Sequence, residues 1–134
     1  MTMIPERSLP APIVDSFTAP FWQAASEGVL MIRRCTSCGE AHWYPRPFCP
    51  HCSSADTDWV PSSGSGTLYS FTVTRKADPV PYVIAYVTLD EGVTMLTNLV
   101  DAEIEALHIG QRVHVTFRAA EGGAAVPMFR PAPR

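Results

Sequence analysis

Four cysteines stand as two pairs, Cys35-x2-Cys38 and Cys49-x2-Cys52, with ten residues between the pairs, and they are all the cysteines in a chain of 134 residues. A two-residue spacing lets one tight turn aim both sulfurs at a point about 2.3 Å away, and two such turns close a tetrahedron around a thiophilic ion. Structural zinc is the leading reading. A rubredoxin-like iron centre uses the same tetrathiolate geometry, and a redox dithiol uses the same short spacing, so both stay open. Four protein thiolates leave no coordination position for a water, which removes catalytic zinc. The ion then folds a segment whose own core is too small. Gly39 gives the first knuckle an unhindered backbone, and Ser53 in the corresponding place predicts a looser second knuckle. His42 and His51 lie close by, but a complete thiolate set does not need them.

No catalytic set accompanies the cysteines. Ser70 with His108 or His114 would make a nucleophile and a base, but no elbow motif or orienting acid goes with them. Gly64-Ser65-Gly66 is followed by a strand pattern and lacks the helix N-terminus that binds phosphate, so it reads as a linker.

The composition agrees with a folded, soluble, reducing-compartment protein. Apolar residues make up 46% and charged residues 17% of the chain, enough to bury a core and too little charge for wholesale disorder. No apolar run approaches the roughly 18 residues of a membrane span. The first sixteen residues show no signal-peptide pattern, so a cytoplasmic location is expected, where paired cysteines favour metal over disulfide. The formal charge is −3, from 10 basic and 13 acidic residues. That balance opposes a strong nucleic-acid binder, which neutralises phosphates with Lys and Arg.

The elements that must hold the cysteines divide the chain into three. Residues 1–28 read as an N-terminal arm and a short helix: Pro5, Pro10 and Pro12 keep the arm extended, Thr18 caps the helix, Pro20 lies in its first turn and Gly28 stops it. Phe21, Trp22 and Ala25 share one face of that helix. Residues 29–61 form the zinc ribbon, with a strand at Val29–Arg34, the two knuckles, and Trp59-Val60-Pro61 leaving it. Residues 62–134 are β-structure with a C-terminal tail, entered through the flexible turn Ser62–Gly66. Alternation predicts strands at Thr67–Thr74, Tyr82–Leu89, Val93–Val100, Arg112–Phe117 and Val126–Phe129, with a hairpin at Asp90-Glu91-Gly92 and a helical turn from Asp101 to Ala106. Five strands in about 65 residues fit a small Greek-key barrel of the OB-fold type. The expected class is therefore mainly β: N-terminal helix, rubredoxin-like zinc ribbon, then a five-stranded OB-fold barrel.

In this order the motifs resemble the zinc-ribbon plus OB-fold proteins associated with acyl-CoA enzymes, the family of domain of unknown function 35. The resemblance runs from about Phe21 to Pro131. It is carried by Phe21-Trp22, Arg34-Cys35, Cys38-Gly39, Pro45-Arg46-Pro47 and Cys49-Pro50-His51-Cys52. It continues through Gly64-x-Gly66-Thr67, Tyr69-Ser70-Phe71-Thr72-Val73, Pro81-Tyr82-Val83, Thr97-Asn98-Leu99-Val100, Ile109-Gly110 and Phe129-Arg130-Pro131. Ser53 departs from the family's usual glycine.

The resemblance implies a non-catalytic accessory subunit that binds or positions acyl-CoA for a thiolase-like or enoyl-CoA hydratase-like partner. It places the ribbon and the N-terminal helix against that partner, making Phe21 and Trp22 the candidate docking residues. Arg75, Lys76 and Arg130 are candidates for a CoA phosphate, with a solvated strand end as the simpler account of each. Tyr69, Phe71 and Tyr82 could stack on adenine, with strand packing as the simpler account. Asn98 is a polar residue in an apolar strand, where burial would require a hydrogen bond. The rival reading is a single-stranded nucleic-acid-binding ribbon/OB protein, and the charge balance stands against it.

Overall fold

The computed structural model describes residues 2–76 and 79–133. Helix α1 (Ala19–Ser26) carries Pro20 in its first turn, where any helix has an unpaired N–H, and gives way to Gly28 at φ +81°. Thr18 occupies the N-cap position, but its hydroxyl makes no bond into the helix. Instead Asp15 N donates to Thr18 Oγ1 at 3.2 Å and Thr18 N donates to Asp15 Oδ1 at 2.7 Å, closing the preceding loop on itself. The helix buries Phe21 and Ala25.

The ribbon is a three-stranded antiparallel sheet of order β2-β1-β3, with β1 at Met31–Cys35, β2 at Ala41–His42 and β3 at Thr57–Pro61. Trp59 to Pro61 was expected to lead out of the module. The structure makes it a strand, paired with β1 from Met31/Pro61 to Cys35/Thr57, because that pairing satisfies the backbone beside the first knuckle.

The barrel follows as β4 (Ser65–Thr74), β5 (Tyr82–Leu89), β6 (Thr94–Leu99), β7 (Arg112–Ala119) and β8 (Ala125–Pro131), closed in the order β4-β5-β6-β8-β7. All its pairings are antiparallel except the parallel contact of β6 with β8 at Leu99/Phe129. β4 pairs with β5 from Gly66 to Thr74 and with β7 only over Ser65–Thr67, which closes the barrel, and a bulge between Leu68 and Ser70 pushes Tyr69 outward. The inward residues Leu68, Val83, Val87, Leu89, Met95, Leu99, Val113 and Phe129 form the core, continuous with Phe21, Leu30 and Ile32 of the helix and ribbon. No helix among the described residues is long and apolar enough to cross a membrane.

The proline-rich arm lies against the barrel: Met3 bridges Glu103, Ile4 N donates to Ala102 O at 2.9 Å, and Glu121 N donates to Leu9 O at 2.9 Å. Two local expectations change. The turn expected from Asp101 is a 3-10 turn over Ile104–Ala106 with Glu103 at its N-cap, and Asp101 takes a left-handed φ of 54°. The stretch Ser62–Gly66 is held rather than flexible. Ser62 N donates to Leu30 O at 2.8 Å, and Glu91 of the β5–β6 turn accepts from Ser62 Oγ at 2.8 Å and Ser63 N at 2.9 Å. Burial pushes the Glu91 carboxyl up, but these donors to its charged form hold it below its usual range.

Gly66 is buried in β4, where an added Cβ would sit 2.7 Å from Thr88 O and 2.8 Å from Val87 Cγ1. Gly122, at φ +84°, has open space at the same position. Gly66→Ala should therefore cost about 2 kcal/mol by overpacking against backbone, and Gly122→Ala about 1 kcal/mol by backbone conformation alone. Urea unfolding of the two variants measures the difference; equal losses would mean that the close strand approach is not what requires glycine at position 66.

Candidate functional site

The two knuckles are built alike. Cys35 N donates to Glu40 O at 2.9 Å and Cys49 N to Ser54 O at 2.8 Å, while Gly39 N and Ser53 N each donate back at 2.9 Å, to Cys35 O and Cys49 O. The closing residue needs a left-handed backbone, φ +79° at Gly39 and +67° at Ser53. Ser53 thus forms the same turn as Gly39, and the second knuckle is no looser than the first. What differs is the conformational strain of a non-glycine residue there.

All four sulfurs lie within 4.8 Å of one another, with Cys35 Sγ to Cys52 Sγ at 3.6 Å and Cys38 Sγ to Cys49 Sγ at 3.7 Å. Sulfurs bound to an ion at about 2.3 Å form a tetrahedron with edges of about 3.8 Å, so the donor set fits zinc. The Cys38 amide points at Cys35 Sγ from 3.4 Å, and it leads the group of contacts that draw that thiol down to about 6. The His51 amide points at Cys49 Sγ from 3.3 Å. Zinc, when bound, would be held by these four sulfurs and would supply only cohesion.

Neither histidine joins the sulfurs. His42 is 5% exposed and neither of its ring nitrogens finds a partner among the described residues, while His51 Nε2 lies 3.4 Å from Ala41 O. Burial, then the charges of Arg46, Arg33 and His51, push the His42 pKa down. Next to it Arg33 is buried, donating to Thr57 O at 2.8 Å with its guanidinium 4.6 Å above the Trp59 ring and 5.2 Å from that of Phe17. Phe21 meets Trp22 edge-on at 5.0 Å and Trp43 at 5.3 Å.

The candidate docking pair differs in exposure: Phe21 is 4% exposed and Trp22 half-buried, and both line a cavity of about 210 Å³ between ribbon and barrel, with Trp43, Tyr44, Pro45 and Leu96. The nucleotide candidates are scattered. Tyr69 is exposed at the bulge, Phe71 packs against the core, and Arg75 and Lys76 lie exposed at the end of β4. Arg130 pairs with Asp101 at 3.5 Å. Only Tyr82 of these aromatic and basic residues lines the cavity of about 260 Å³ between the arm and the barrel. Asn98, on the same wall, donates to Val83 O at 3.1 Å. His114 Nδ1 meets Ser65 Oγ at 3.1 Å rather than Ser70, and no carboxylate bonds to that histidine among the described residues.

Sequence reasoning missed the other polar lining of this cavity. Arg118 bonds Asp101 in a short ion pair, donates to Thr116 Oγ1 at 3.0 Å and faces Glu6 Oε1 at 4.0 Å, while Arg7 stacks over Tyr82 at 4.5 Å. Its acidic partners Asp101 and Glu6 are 17 and 112 residues from Arg118, so no local spacing signals them.

Helix, tetrathiolate ribbon and five-stranded OB barrel define a zinc-ribbon/OB protein, and comparison with known proteins makes the class specific. The family model described as the ChsH2 rubredoxin-like zinc ribbon domain matches residues 22–58, and the ChsH2 C-terminal OB-fold domain matches residues 59–118. The boundary between them falls inside β3, whose pairing with β1 keeps it in the ribbon sheet. A DUF35 domain-containing scaffold protein of Methanocaldococcus jannaschii is 31% identical over 78% of this chain and 79% of its own length. A probable enoyl-CoA hydratase alpha subunit of Thermomonospora curvata is 36% identical over 96% of this chain. This chain spans only 41% of that subunit's length. A solved structure titled Ltp2-ChsH2(DUF35) aldolase aligns with TM-score 0.79 at 36% identity, over 92% of this chain and 100% of that one. The chain belongs to the DUF35 family, whose members include scaffold proteins and enzyme subunits.

Two outcomes follow. Purified protein should carry about one zinc per chain by elemental analysis, and stripping it with a strong chelator should release the Trp43 and Trp59 fluorescence environment; a rubredoxin-like iron spectrum, or four titratable thiols without metal, would overturn the zinc assignment. Asp101 is held below its usual range, first by the Arg118 hydrogen bond. A depressed carboxyl stabilises the fold above its unfolded pKa and loses that contribution as pH falls through the folded value. Asp101→Asn, which tolerates the left-handed backbone, should lower the melting temperature at pH 7, and the gap to the parent should close below about pH 4.

Proposed function

We propose that this chain is a zinc-stabilised, non-catalytic accessory subunit that docks on a thiolase-like or enoyl-CoA hydratase-like enzyme and helps position its acyl-CoA thioester. The carrying observation is the outer face of the barrel. Strands β4, β5 and β6 contain no Asp, Glu, Lys or Arg, although this face looks outward. Ser70, Tyr86 and Leu96 stand in register across it, with Tyr86 48% and Leu96 53% exposed and Tyr69 beside them at 65%. Charged side chains are the usual protection of exposed sheet surface, and a large uncharged patch with tyrosines fits a protein interface. The patch continues into the cavity lined by Trp22, Trp43 and Tyr44.

Family membership supports the same reading. The relatives' titles name a scaffold, a hydratase alpha subunit and an aldolase assembly, the last a carbon–carbon bond chemistry like that of a thiolase. The saturated metal and the His114–Ser65 pair without an orienting carboxylate favour a supporting role over a catalytic one. Thiolate ligands suit a reducing cytoplasm.

Co-expression with a thiolase-like or hydratase-like enzyme encoded beside it should yield one complex on size exclusion. A Tyr86→Glu, Leu96→Glu double variant, altering only exposed positions, should fold normally and lose the complex by at least tenfold in affinity. Absence of any complex with such enzymes would refute the accessory role; an unaffected complex would move the docking surface elsewhere.

A further inference from the structure

The arm crosses the barrel as a strap fixed at both ends. At one end Met3 bridges Glu103, Ile104 N donates to Thr2 O at 2.7 Å and Ile4 N to Ala102 O at 2.9 Å. At the other, Glu121 N donates to Leu9 O at 2.9 Å and Ser8 Oγ to Glu121 Oε1 at 3.3 Å. Between them, among the described residues, the backbone makes no hydrogen bond to the barrel, and Pro5 to Arg7 lie over the cavity of about 260 Å³.

Those side chains imitate a ligand. Arg7 lays a planar, delocalised group on the face of Tyr82, the position a nucleobase takes on a barrel aromatic. Glu6 sets a carboxylate toward Arg118 Nε, the edge of the guanidinium that Asp101 and Thr116 leave free. Arg118 and Arg130 share the single Asp101 carboxylate, so withdrawing Glu6 leaves net positive charge there. Asn98, Leu99 and Met128 floor the space between. The Glu6 contact over the cavity is weak: its side chain is 83% exposed at a 4.0 Å separation from Arg118, a pair that water and salt screen.

From this we infer that residues 2–9 are an autoinhibitory strap over a subsite for the phosphorylated adenosine end of a CoA thioester. The base would stack on Tyr82 and a phosphate would pair with Arg118. The inference rests on the acyl-CoA reading above and adds that this chain must release its own arm to bind. Binding exchanges Glu6 for phosphate and Arg7 for adenine, so strap and ligand compete directly.

Calorimetric titration of the full chain with adenosine 3′,5′-bisphosphate tests it. The double variant E6A/R7A should bind at least fivefold more tightly than the parent. Adding Tyr82→Leu or Arg118→Gln to that background should each abolish the gain, with melting curves confirming that the variants fold. No binding by the loosened variant, or a gain that survives both added substitutions, would overturn the inference. So would tighter binding of an oligothymidylate than of the bisphosphate, which would assign the subsite to single-stranded nucleic acid. Complex formation with the acyl-CoA enzyme is read separately on the same variants: a normal complex without bisphosphate binding sinks the strap subsite and leaves the accessory role standing.

Discussion

Four sulfurs brought within 4.8 Å of one another are the constraint on which the rest of the molecule depends. Thiolates at that spacing repel, and only a cation among them turns the cluster from a liability into a staple. The ribbon has little else. Its strands are five, two and five residues long, and its buried side chains include a charged arginine and a histidine with no hydrogen-bond partner among the described residues. A segment with those costs does not stand on area burial alone. With the knuckles fixed, β1 and β3 can pair, Arg33 can lie between Thr57 and the Trp59 ring, and the aromatic cluster around Phe21 has a floor.

The barrel answers with a second constraint, the pairing of β4 with two partners at once near its start. One strand must pair with β7 at its start and β5 along its length, so it has to bend, and the bulge at Tyr69 and the side-chain-free Gly66 are where it does. Glu91 ties that region to the ribbon linker through two hydrogen bonds, and the core runs unbroken from Phe21 to Phe129. Ribbon and barrel are thus packed against one another through a shared core.

What was legible in the sequence was local. The cysteine spacing carries its own geometry, and the alternation in Tyr82–Leu89 and Arg112–Ala119 states which side chains turn inward. Pro20 and Gly28 mark the helix because their backbone preferences act within a single turn. The contacts of the arm were not legible, because a proline-rich segment has no period and docks through backbone bridges such as Met3 with Glu103. Asp101 misled for a related reason: a cap and a left-handed turn favour the same residue type, and the deciding partners, Arg118 and Arg130, lie 17 and 29 residues further on. Phe21 and Trp22 are neighbours in sequence and touch edge-on, but one is buried and the other half-buried, a difference in depth that a motif containing both does not encode.

The distribution of charge follows from these placements. With 10 basic and 13 acidic residues in 134, leaving three adjacent strands without any confines the ionised groups to the rest of the chain. Several gather at or beside the cavity under the arm, where Glu6, Arg118, Asp101 and Arg130 form one chain of ion pairs and Arg7 lies on Tyr82. An uncharged face lowers the desolvation cost of permanent protein contact, whereas a network of exposed, alternately signed groups can exchange partners at little cost. The two surfaces therefore differ in the kind of occupant each can hold: the sheet suits a partner that stays, and the arm-covered cavity suits one that comes and goes.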